Sequence, residues 1–463
     1  MSLPNAAANA DPIAAAQPSP LWKTYLLILL PMMATNLLQA ASGTADGIYL
    51  GRMLGADALA AVSCFFPIFF VLLAVVIGLS SGATVLIGQA WGAREPDKVH
   101  AVAGTALVLM LCAGLLIGVT GGIFAPQLMR ALATPSNIEA EAIAYARVML
   151  FGLPLLFALW LLTSMSRGVG DAISPLWALA LTTVVALLCT PAFIRGWFGL
   201  PKLGVSSAAV SNLIACAIAL AWMLSHWRKR AHPLAPNAQR LRQLRLDPRI
   251  AVAMLRIGLP SMLQMLTMAA AEIVLLGLVN RHGSHATAAY GAVNQLMSWL
   301  QLPAMSVGIT ATILASHAIG GGRASRLGAI VRTGLALNLA LTGACILAVY
   351  ALAPTVIGWF LVDAPVIEQA LRLLRIVAWS VILLGLANVL TGVMRASGVV
   401  AVPTGLAMLA IVGMELPLAY WLDARIGLSG IWWAYATTFA VLLMLHSGYY
   451  LLVWRRRDVR TLV

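Results

Sequence analysis

The segment "LPMMATNLLQAA" (residues 30–41) occurs a second time, in altered form, as "LPSMLQMLTMAA" (residues 259–270). Each copy lies in a long apolar run, and the two prolines, Pro31 and Pro260, occupy the same place in it. A repeat separated by about half the chain predicts that the protein is built from two halves of similar fold.

Three further pairs of segments recur in the same order and at nearly the same spacing. They are "GRMLGADALAAV" (51–62) with "NRHGSHATAAYGAV" (280–293), "IGQAWGARE" (87–95) with "ASHAIGGGR" (315–323), and "MSRGVGDAISP" (165–175) with "VMRASGVVAVP" (393–403). The second pair places Gly92 on Gly320. Four matches in order are difficult to obtain by chance, so we interpret the chain as an internal duplication.

The composition places both halves in a membrane. The 463 residues are 61% hydrophobic and 10% charged, with a mean hydropathy of +0.93. Soluble proteins carry about 25% charged residues, and strands of a membrane barrel would alternate apolar with polar residues. The apolar runs here are continuous, which predicts an all-α polytopic membrane protein.

We count twelve candidate transmembrane helices, six in each half. The predicted spans are 24–48, 58–88, 99–124, 143–166, 175–195, 205–226, 251–280, 288–315, 328–352, 371–394, 401–421 and 429–453. An even number of spans per half starts both halves on the same side of the membrane. The prediction is therefore two lobes related by a parallel pseudo-two-fold axis, an arrangement typical of alternating-access carriers.

This pattern divides the chain into five parts. We predict a disordered cytoplasmic tail (1–23), an N-lobe (24–226), a basic cytoplasmic linker (227–250), a C-lobe (251–453) and a basic cytoplasmic tail (454–463).

The net charge of +14 is distributed as in a membrane protein and not as in a nucleic-acid-binding protein. All but nine of the 29 Lys and Arg fall on one set of alternating loops and ends. Such a bias fixes orientation, with the basic side in the cytoplasm. The expected location is the inner (plasma) membrane with both termini cytoplasmic, and the expected partners of the basic loops are anionic lipids rather than nucleic acid.

Three of the fifteen acidic residues lie well inside predicted spans: Asp46, Glu272 and Glu415. A carboxyl group in the membrane is costly and marks a functional site by default, since it can hold a proton or a sodium ion. Structural alternatives remain for each. Asp46 could lie at a helix end near Arg52, Glu272 could be a permanently hydrogen-bonded acid, and Glu415 could serve the kink at Pro417.

Other polar and soft side chains share helix faces with Asp46 and Glu272 or lie on the eighth predicted span. The candidate substrate-cavity residues are Asn36, Gln39, Gln264, Met265, Met268, Asn294, Gln295 and Trp299. Methionine and aromatic walls suit varied apolar ligands, and nearby acids favour cations. Amides in membrane helices also join helices to one another, so each amide has that alternative role.

Enzyme chemistry has no support in the sequence. No nucleophile–His–acid arrangement, HExxH motif or phosphate-binding loop occurs, and "RGVGD" (167–171) is too short for a dinucleotide fingerprint. We therefore predict no catalytic residue, no metal site and no cofactor.

The chain resembles the MATE family of multidrug and toxic compound extrusion transporters over roughly residues 24–453. The resemblance rests on "LPMMATNLLQAASGTADGIYLGRMLGADALAAVS" (30–63), "GQAWGARE" (88–95), "RGVGDAISP" (167–175) and "FGLPKLGVSSAAVSN" (198–212). It implies twelve helices in two lobes, a V-shaped central cavity, export of organic cations by H⁺ or Na⁺ antiport, and an N-lobe ion site around Asp46.

The sequence departs from this family at the N-lobe site. Where many relatives have an asparagine and an aspartate in the fifth helix, this chain has Ala186 and Thr190, and the sixth-helix position resembles Asn212. Thr190, Asn212 and Glu415 are therefore candidate supporting residues. Glu272 resembles the seventh-helix glutamate of the NorM-type branch, although the sequence is closer overall to the DinF-type branch.

The expected function is efflux of cationic or amphipathic small molecules driven by an inward ion gradient. We favour H⁺ over Na⁺, because two isolated carboxyl groups need fewer partner oxygens to hold a proton. The alternatives are a flippase for a lipid-linked precursor, and a membrane receptor or channel-like protein without coupled transport. The expected state is a monomer.

Overall fold

The computed structural model describes residues 20–132, 134–235, 246–358 and 363–462, and within them the chain is helical without strands. The helices of the first half are α1 (Leu21–Leu54), α2 (Ala56–Ser63), α3 (Phe66–Gly92), α4 (Pro96–Ile123), α5 (Ala125–Ala131), α6 (Glu139–Phe151), α7 (Leu153–Gly168), α8 (Ile173–Arg195) and α9 (Ser206–Lys229).

The second half repeats this order. Its helices are α10 (Pro248–Asn280), α11 (Ser284–Gly320), α12 (Leu327–Gly358), α13 (Ala364–Val377), α14 (Val381–Ala396), α15 (Ala401–Ala410), α16 (Leu416–Ile426) and α17 (Leu428–Leu452). Between α15 and α16 the helix continues through a π-helical segment, Ile411–Glu415.

The predicted all-α membrane fold is confirmed. Eleven helical segments in the described part of the chain are long and apolar enough to cross a membrane. The bent pair α6–α7, with a 51° angle at its break, makes twelve if it counts as one span. The break follows from Gly152 and from Pro154 in the first turn of α7, where proline has no N–H to donate.

Helix ends differ from the sequence prediction by several residues. The first span, predicted as 24–48, runs from Leu21 to Leu54 and stops at Gly55, whose φ of 93° suits glycine. The seventh begins at Pro248, where the Asp247 side chain accepts a hydrogen bond from the Arg249 N–H (2.8 Å). Most of the predicted tail (residues 1–19) and the middle of the predicted linker (236–245) lie outside the described residues.

Glycines allow α3 of the first half to pack directly on α10 of the second half. A Cβ on Gly78 would lie 2.7 Å from the Gly258 carbonyl oxygen, and one on Gly258 would lie 2.9 Å from that of Gly78. One turn further on, a Cβ on Gly82 would lie 2.6 Å from the Met254 carbonyl oxygen. Small residues let membrane helices approach this closely, so these positions fix the contact between the two lobes.

The ends of α3 and α11 meet at the end of the bundle that carries Arg94 and Arg323, which we call the basic end. A Cβ on Gly92 would lie 2.3 Å from the His317 carbonyl oxygen, and one on Gly320 would lie 1.8 Å from the Gln89 carbonyl oxygen. The two contacts are equivalent, because in each one a glycine of one half packs against the backbone of the other half. The glycines that the sequence repeat aligns are therefore equivalent in the structure.

A second contact between the halves joins α1 to α11. The Asn36 amide Nδ2 donates to the Ser306 hydroxyl (3.0 Å), and the Thr310 hydroxyl lies 3.8 Å from the Met32 sulfur. Nearer the helix start, the buried Tyr25 hydroxyl donates to the Ile330 carbonyl on α12 (2.9 Å). The lobes are thus joined along both α3–α10 and α1–α11.

Candidate functional site

Glu272 lies in the interior of α10 and is held by side chains from two other helices. Its Oε1 accepts hydrogen bonds from the Tyr290 hydroxyl and from the Asn294 amide (3.1 Å for the latter), both on α11. Its Oε2 accepts a hydrogen bond from the Tyr435 hydroxyl on α17 (2.8 Å). Three donors therefore surround one carboxylate inside the C-lobe, and we call these four side chains the Glu272 cluster.

An aromatic wall stands beside this cluster. The Trp432 ring lies 5.1 Å from the Tyr290 ring and 5.6 Å from the Tyr435 ring, both in tilted arrangements. The two tyrosine hydroxyls are 3.3 Å apart. The packing of Trp432 fixes both rings, and so directs both hydroxyls at Glu272.

Glu415 is buried near the Glu272 cluster, with 5% of its surface exposed. Its carboxyl interacts electrostatically with Glu272. It is the last residue of the π-helical segment, two positions before Pro417. Proline cannot donate to the carbonyl four residues earlier, which explains the local change of helix type, and π-helical segments often occur at functional sites.

Asp46 lies on α1, eight residues before the helix ends, on the opposite lobe. Its Oδ1 is buried and makes no hydrogen bond to any described residue. Asp46 interacts electrostatically with Tyr145 of α6. A buried carboxylate oxygen without a donor contrasts sharply with Glu272, so the two lobes hold their acids in different environments.

The candidate supporting residues of the N-lobe are not hydrogen-bonded to Asp46. The Thr190 hydroxyl on α8 is fully buried and has no partner among the described residues. The Asn212 Oδ1 on α9 accepts a bond from the Cys216 thiol (3.5 Å between sulfur and oxygen). On α9 the hydroxyls of Ser207 and Ser211 are likewise buried and without partners there. This lobe therefore holds several unpaired buried oxygens.

The predicted cavity residues separate into two groups. Asn294 contributes directly to the Glu272 cluster, and Asn36 joins α1 to α11 through Ser306. The remaining six stay predictions as substrate contacts: Gln39, Gln264, Met265, Met268, Gln295 and Trp299. Of these, Met268 and Trp299 are exposed by 45% and 39%.

Sequence reasoning missed the two tyrosines and the tryptophan around Glu272. Tyr290 and Asn294 are four residues apart on α11, so they share a helix face. That spacing was the available signal. Tyr435 carried no such signal, because α17 approaches Glu272 only through the tertiary fold.

A second polar cluster lies outside the membrane-spanning helices, at the α7–α8 turn. The Asp171 Oδ1 accepts hydrogen bonds from the N–H groups of Ile173 and Ser174 (3.0 Å each). Its Oδ2 accepts from Ser166 (3.1 Å) and lies 3.3 Å from His232 Nε2. Burial alone would raise the pKa of Asp171, but hydrogen bonds from His232 and Ser174 hold it below its usual range.

Comparison with known proteins assigns this arrangement to a family. The MatE family model matches the chain twice, at residues 31–191 and 260–421. The chain belongs to the MatE family. The predicted family is therefore confirmed, and a MatE protein is a membrane transporter rather than an enzyme.

The similarity extends over nine-tenths or more of the length of several relatives. The chain is 37% identical to the probable multidrug resistance protein YoeA of Bacillus subtilis, over 96% of each chain. It is 22% identical to the multidrug export protein MepA of Staphylococcus aureus, over 90% of each. A mutant of the Vibrio cholerae MATE transporter VcmN superposes with a TM-score of 0.87 at 20% identity, covering 95% of this chain and 98% of that one. The last likeness concerns the fold alone.

Among the described residues of this MatE protein, no group of three His, Cys, Asp or Glu is placed to hold a metal ion. The side chains at the candidate site offer carboxyl groups, phenol hydroxyls and aromatic faces. Such groups can bind protons or alkali and organic cations.

Proposed function

We propose that this protein exports cationic or amphipathic small molecules by antiport against H⁺, through alternating access of its two lobes. The observation that carries the proposal is the Glu272 cluster. Relatives named as multidrug resistance or export proteins support the substrate class. The physical requirement for antiport is that the ion and the substrate favour different states of the protein.

The cluster suits such an exchange because one carboxylate faces both kinds of ligand. A proton on Glu272 leaves a neutral site, whereas the ionised form offers a negative charge beside aromatic rings. Organic cations bind carboxylates and aromatic faces. Protonation and cation binding at Glu272 therefore exclude each other, which is the coupling that antiport needs.

The donor set around Glu272 favours H⁺ as the coupling ion. Tyr290, Asn294 and Tyr435 all present hydrogen-bond donors to the carboxylate. A sodium ion would need oxygen lone pairs directed at it, as hard cations do. These three hydrogen bonds satisfy the ionised carboxylate within the protein, as a site that releases a proton requires.

Asp46 provides a second proton site in this proposal, with Thr190 and Asn212 in supporting roles, and Glu415 supports Glu272 in the C-lobe. Its unpaired Oδ1 is open to a proton or a ligand hydrogen-bond donor. The protein needs no cofactor in this scheme. The basic end faces the cytoplasm of the inner (plasma) membrane with both termini on that side, and the working unit is a monomer in contact with lipid.

The test is ethidium uptake into inverted membrane vesicles, driven by an imposed pH gradient. Asp46→Asn and Glu272→Gln are compared with Glu368→Gln, which alters an exposed ion pair with Arg372 (3.6 Å). We expect Glu272→Gln to abolish uptake, Asp46→Asn to reduce it strongly and Glu368→Gln to leave it unchanged.

Full uptake by both Asp46→Asn and Glu272→Gln would overturn the carboxyl mechanism. Uptake that follows a sodium gradient and persists when nigericin collapses the pH gradient would assign Na⁺ in place of H⁺. Movement of a fluorescent lipid-linked precursor without ethidium uptake would favour a flippase.

A further inference from the structure

The C-terminal segment crosses the basic end from one lobe to the other. After α17 ends at Leu452, Trp454 is buried, and its ring stacks on that of Tyr450 with centroids 5.2 Å apart. The Trp454 Nε1 donates to the Ser397 hydroxyl (2.9 Å) in the turn after α14. The segment is therefore anchored on the C-lobe at its beginning.

Its far end contacts the N-lobe. The backbone N–H of Leu462 donates to the Gln89 side-chain Oε1 on α3 (2.7 Å). The Leu462 side chain lies over Gly398, where an added Cβ would come within 2.9 Å of it. Residues 454–462 thus span the boundary between the lobes.

Gln89 joins three parts of the chain at this boundary. Its Nε2 donates to the Ala396 carbonyl at the end of α14 (2.7 Å), while its Oε1 accepts from Leu462. Gln89 is 1% exposed. A buried amide oxygen without a donor is destabilising, so in the closed basic end the segment supplies a donor that the two lobes do not provide.

The hydrogen bond from Leu462 to Gln89 contributes little to stability once the basic end opens. Separating α3 from α14 exposes Gln89 to water, and water then replaces the Leu462 N–H. A cavity of about 560 Å³ lies beside Leu462, lined by the first turns of α10 including Arg249, Val252 and Arg256. The segment is therefore held at Gln89 and Gly398 but has space in which to withdraw.

We propose that residues 454–462 form a latch that stabilises the state closed at the basic end. The latch binds only when Gln89 and Ala396 are together, so it shifts the population toward that state. This inference rests on the proposed alternating access only in requiring that open and closed states both exist.

The test measures the separation of the lobes directly, by pulsed electron paramagnetic resonance on the full chain reconstituted in sealed liposomes, across which ion gradients can be imposed. Spin labels are placed at Asp97→Cys and Ser325→Cys, exposed positions just beyond α3 and α11, after the native cysteines are replaced by serine. Leu462→Pro removes the N–H that Gln89 accepts. Thr461→Pro is the matched control, because the Thr461 N–H makes no hydrogen bond to the described residues.

We expect Leu462→Pro to raise the population with the longer label distance at least threefold over the parent, and Thr461→Pro to leave it unchanged. A chain ending after Thr461 should show the same increase in this population as Leu462→Pro. Leu462→Ala keeps the N–H and should show a smaller increase than Leu462→Pro. No change in Leu462→Pro, or an equal change in Thr461→Pro, overturns the latch.

The same experiment separates failure of the latch from failure of the proposed function. If the label distances of the parent protein respond to ion gradients and those of Leu462→Pro respond in the same way, the latch alone is overturned. A parent that keeps one distance under every gradient contradicts alternating access. In that case, a longer distance between the two labels in Leu462→Pro supports the latch, and an unchanged distance overturns it.

Discussion

Gln89 and His317 occupy equivalent positions in the two halves, and each donates a hydrogen bond to a backbone carbonyl of the opposite lobe. Gln89 Nε2 lies 2.7 Å from the Ala396 oxygen, and His317 Nε2 lies 2.7 Å from the Gly168 oxygen. The two acceptors are themselves equivalent in the sequence repeat. Two equivalent hydrogen bonds thus close the basic end. The donor is an amide in the N-lobe and an imidazole in the C-lobe.

Close packing at this end makes Gly320 a sensitive position. A Cβ there would lie 1.8 Å from the Gln89 carbonyl oxygen, which is backbone and cannot turn away. Overpacking of this kind costs about 1–3 kcal/mol, so Gly320→Ala should lower the population of the closed basic end by about tenfold. Distances between labels at Asp97→Cys and Ser325→Cys measure the change.

Gly343→Ala is the control for this substitution. Gly343 is on α12 and an added Cβ would meet nothing within 4 Å. Alanine is favoured over glycine in helices, so this variant should fold and transport like the parent. Equal behaviour of Gly320→Ala and Gly343→Ala would show that the lobes do not close as tightly as described.

The phenol hydroxyls around Glu272 should matter more than their rings. Tyr435→Phe and Tyr290→Phe each keep the packing on Trp432 but remove a hydrogen bond to a carboxylate. Hydrogen bonds to charged groups contribute about 1.5–3 kcal/mol, so each variant should reduce uptake driven by a pH gradient at least about tenfold.

Because the two hydroxyls also lie 3.3 Å apart, the double variant should lose less than the sum of the two single losses. Tyr420→Phe is the matched control, since the exposed Tyr420 has an Arg281 guanidinium over its ring and its hydroxyl makes no hydrogen bond to the described residues. Normal uptake by Tyr435→Phe and Tyr290→Phe would remove the Glu272 cluster from the mechanism.

The amide of Asn36 should act on the contact between lobes. Asn36→Ala and Ser306→Ala each remove one partner of the 3.0 Å bond, and their effects on thermal stability in detergent should be non-additive by about 0.5–1.5 kcal/mol. Purely additive effects would mean that the bond contributes nothing. A raised KM for ethidium in Asn36→Ala would favour the cavity role that the sequence suggested.

Asp171 gives a pH dependence whose sign follows from its contacts. Since its pKa is held below the ordinary value, the carboxylate stabilises the folded protein above about pH 4, the usual range of an unfolded aspartate. That stabilisation is lost as the pH falls through the lowered pKa of the folded state. Asp171→Ala should therefore cost about 0.5–2 kcal/mol at neutral pH, the value of a helix N-cap.

Thermal unfolding in detergent between pH 3 and pH 8 checks this prediction. The parent should be more stable than Asp171→Ala throughout pH 5 to pH 8, and the difference should shrink below about pH 4. Asp171→Asn keeps an acceptor for the Ile173 and Ser174 N–H groups and should cost less. A difference that grows on acidification would contradict the assigned contacts.

The fold was largely predictable from the sequence, whereas the surroundings of the acids were not. Continuous apolar runs predict helices because membranes require the backbone to satisfy its own hydrogen bonds. The aligned glycines Gly92 and Gly320 correctly indicated equivalent places. The bend at Gly152 was missed because Gly152 and Pro154 lie within one continuous hydrophobic run, which predicts a single straight helix.

The candidate site was predictable only where a polar residue interrupts an apolar run. Glu272 and Asn294 were both named from their apolar surroundings, and the structure joins them directly. Tyr435 and Trp432 lie about 160 residues further along the chain, and their approach to Glu272 depends on how α17 packs. The bonds from Gln89 to Leu462 and Ala396 likewise connect segments that no local pattern relates.

The reciprocal docking of Gly92 on His317 and of Gly320 on Gln89 has the symmetry of an isologous dimer, in which each subunit offers the other the same surface. A half-length ancestor with this surface could pair with a second copy of itself. Joining the halves through the 227–250 segment makes the pairing intramolecular and independent of protein concentration. Each half is then free to change alone, so equivalent positions can carry different residues, as Gln89 and His317 do.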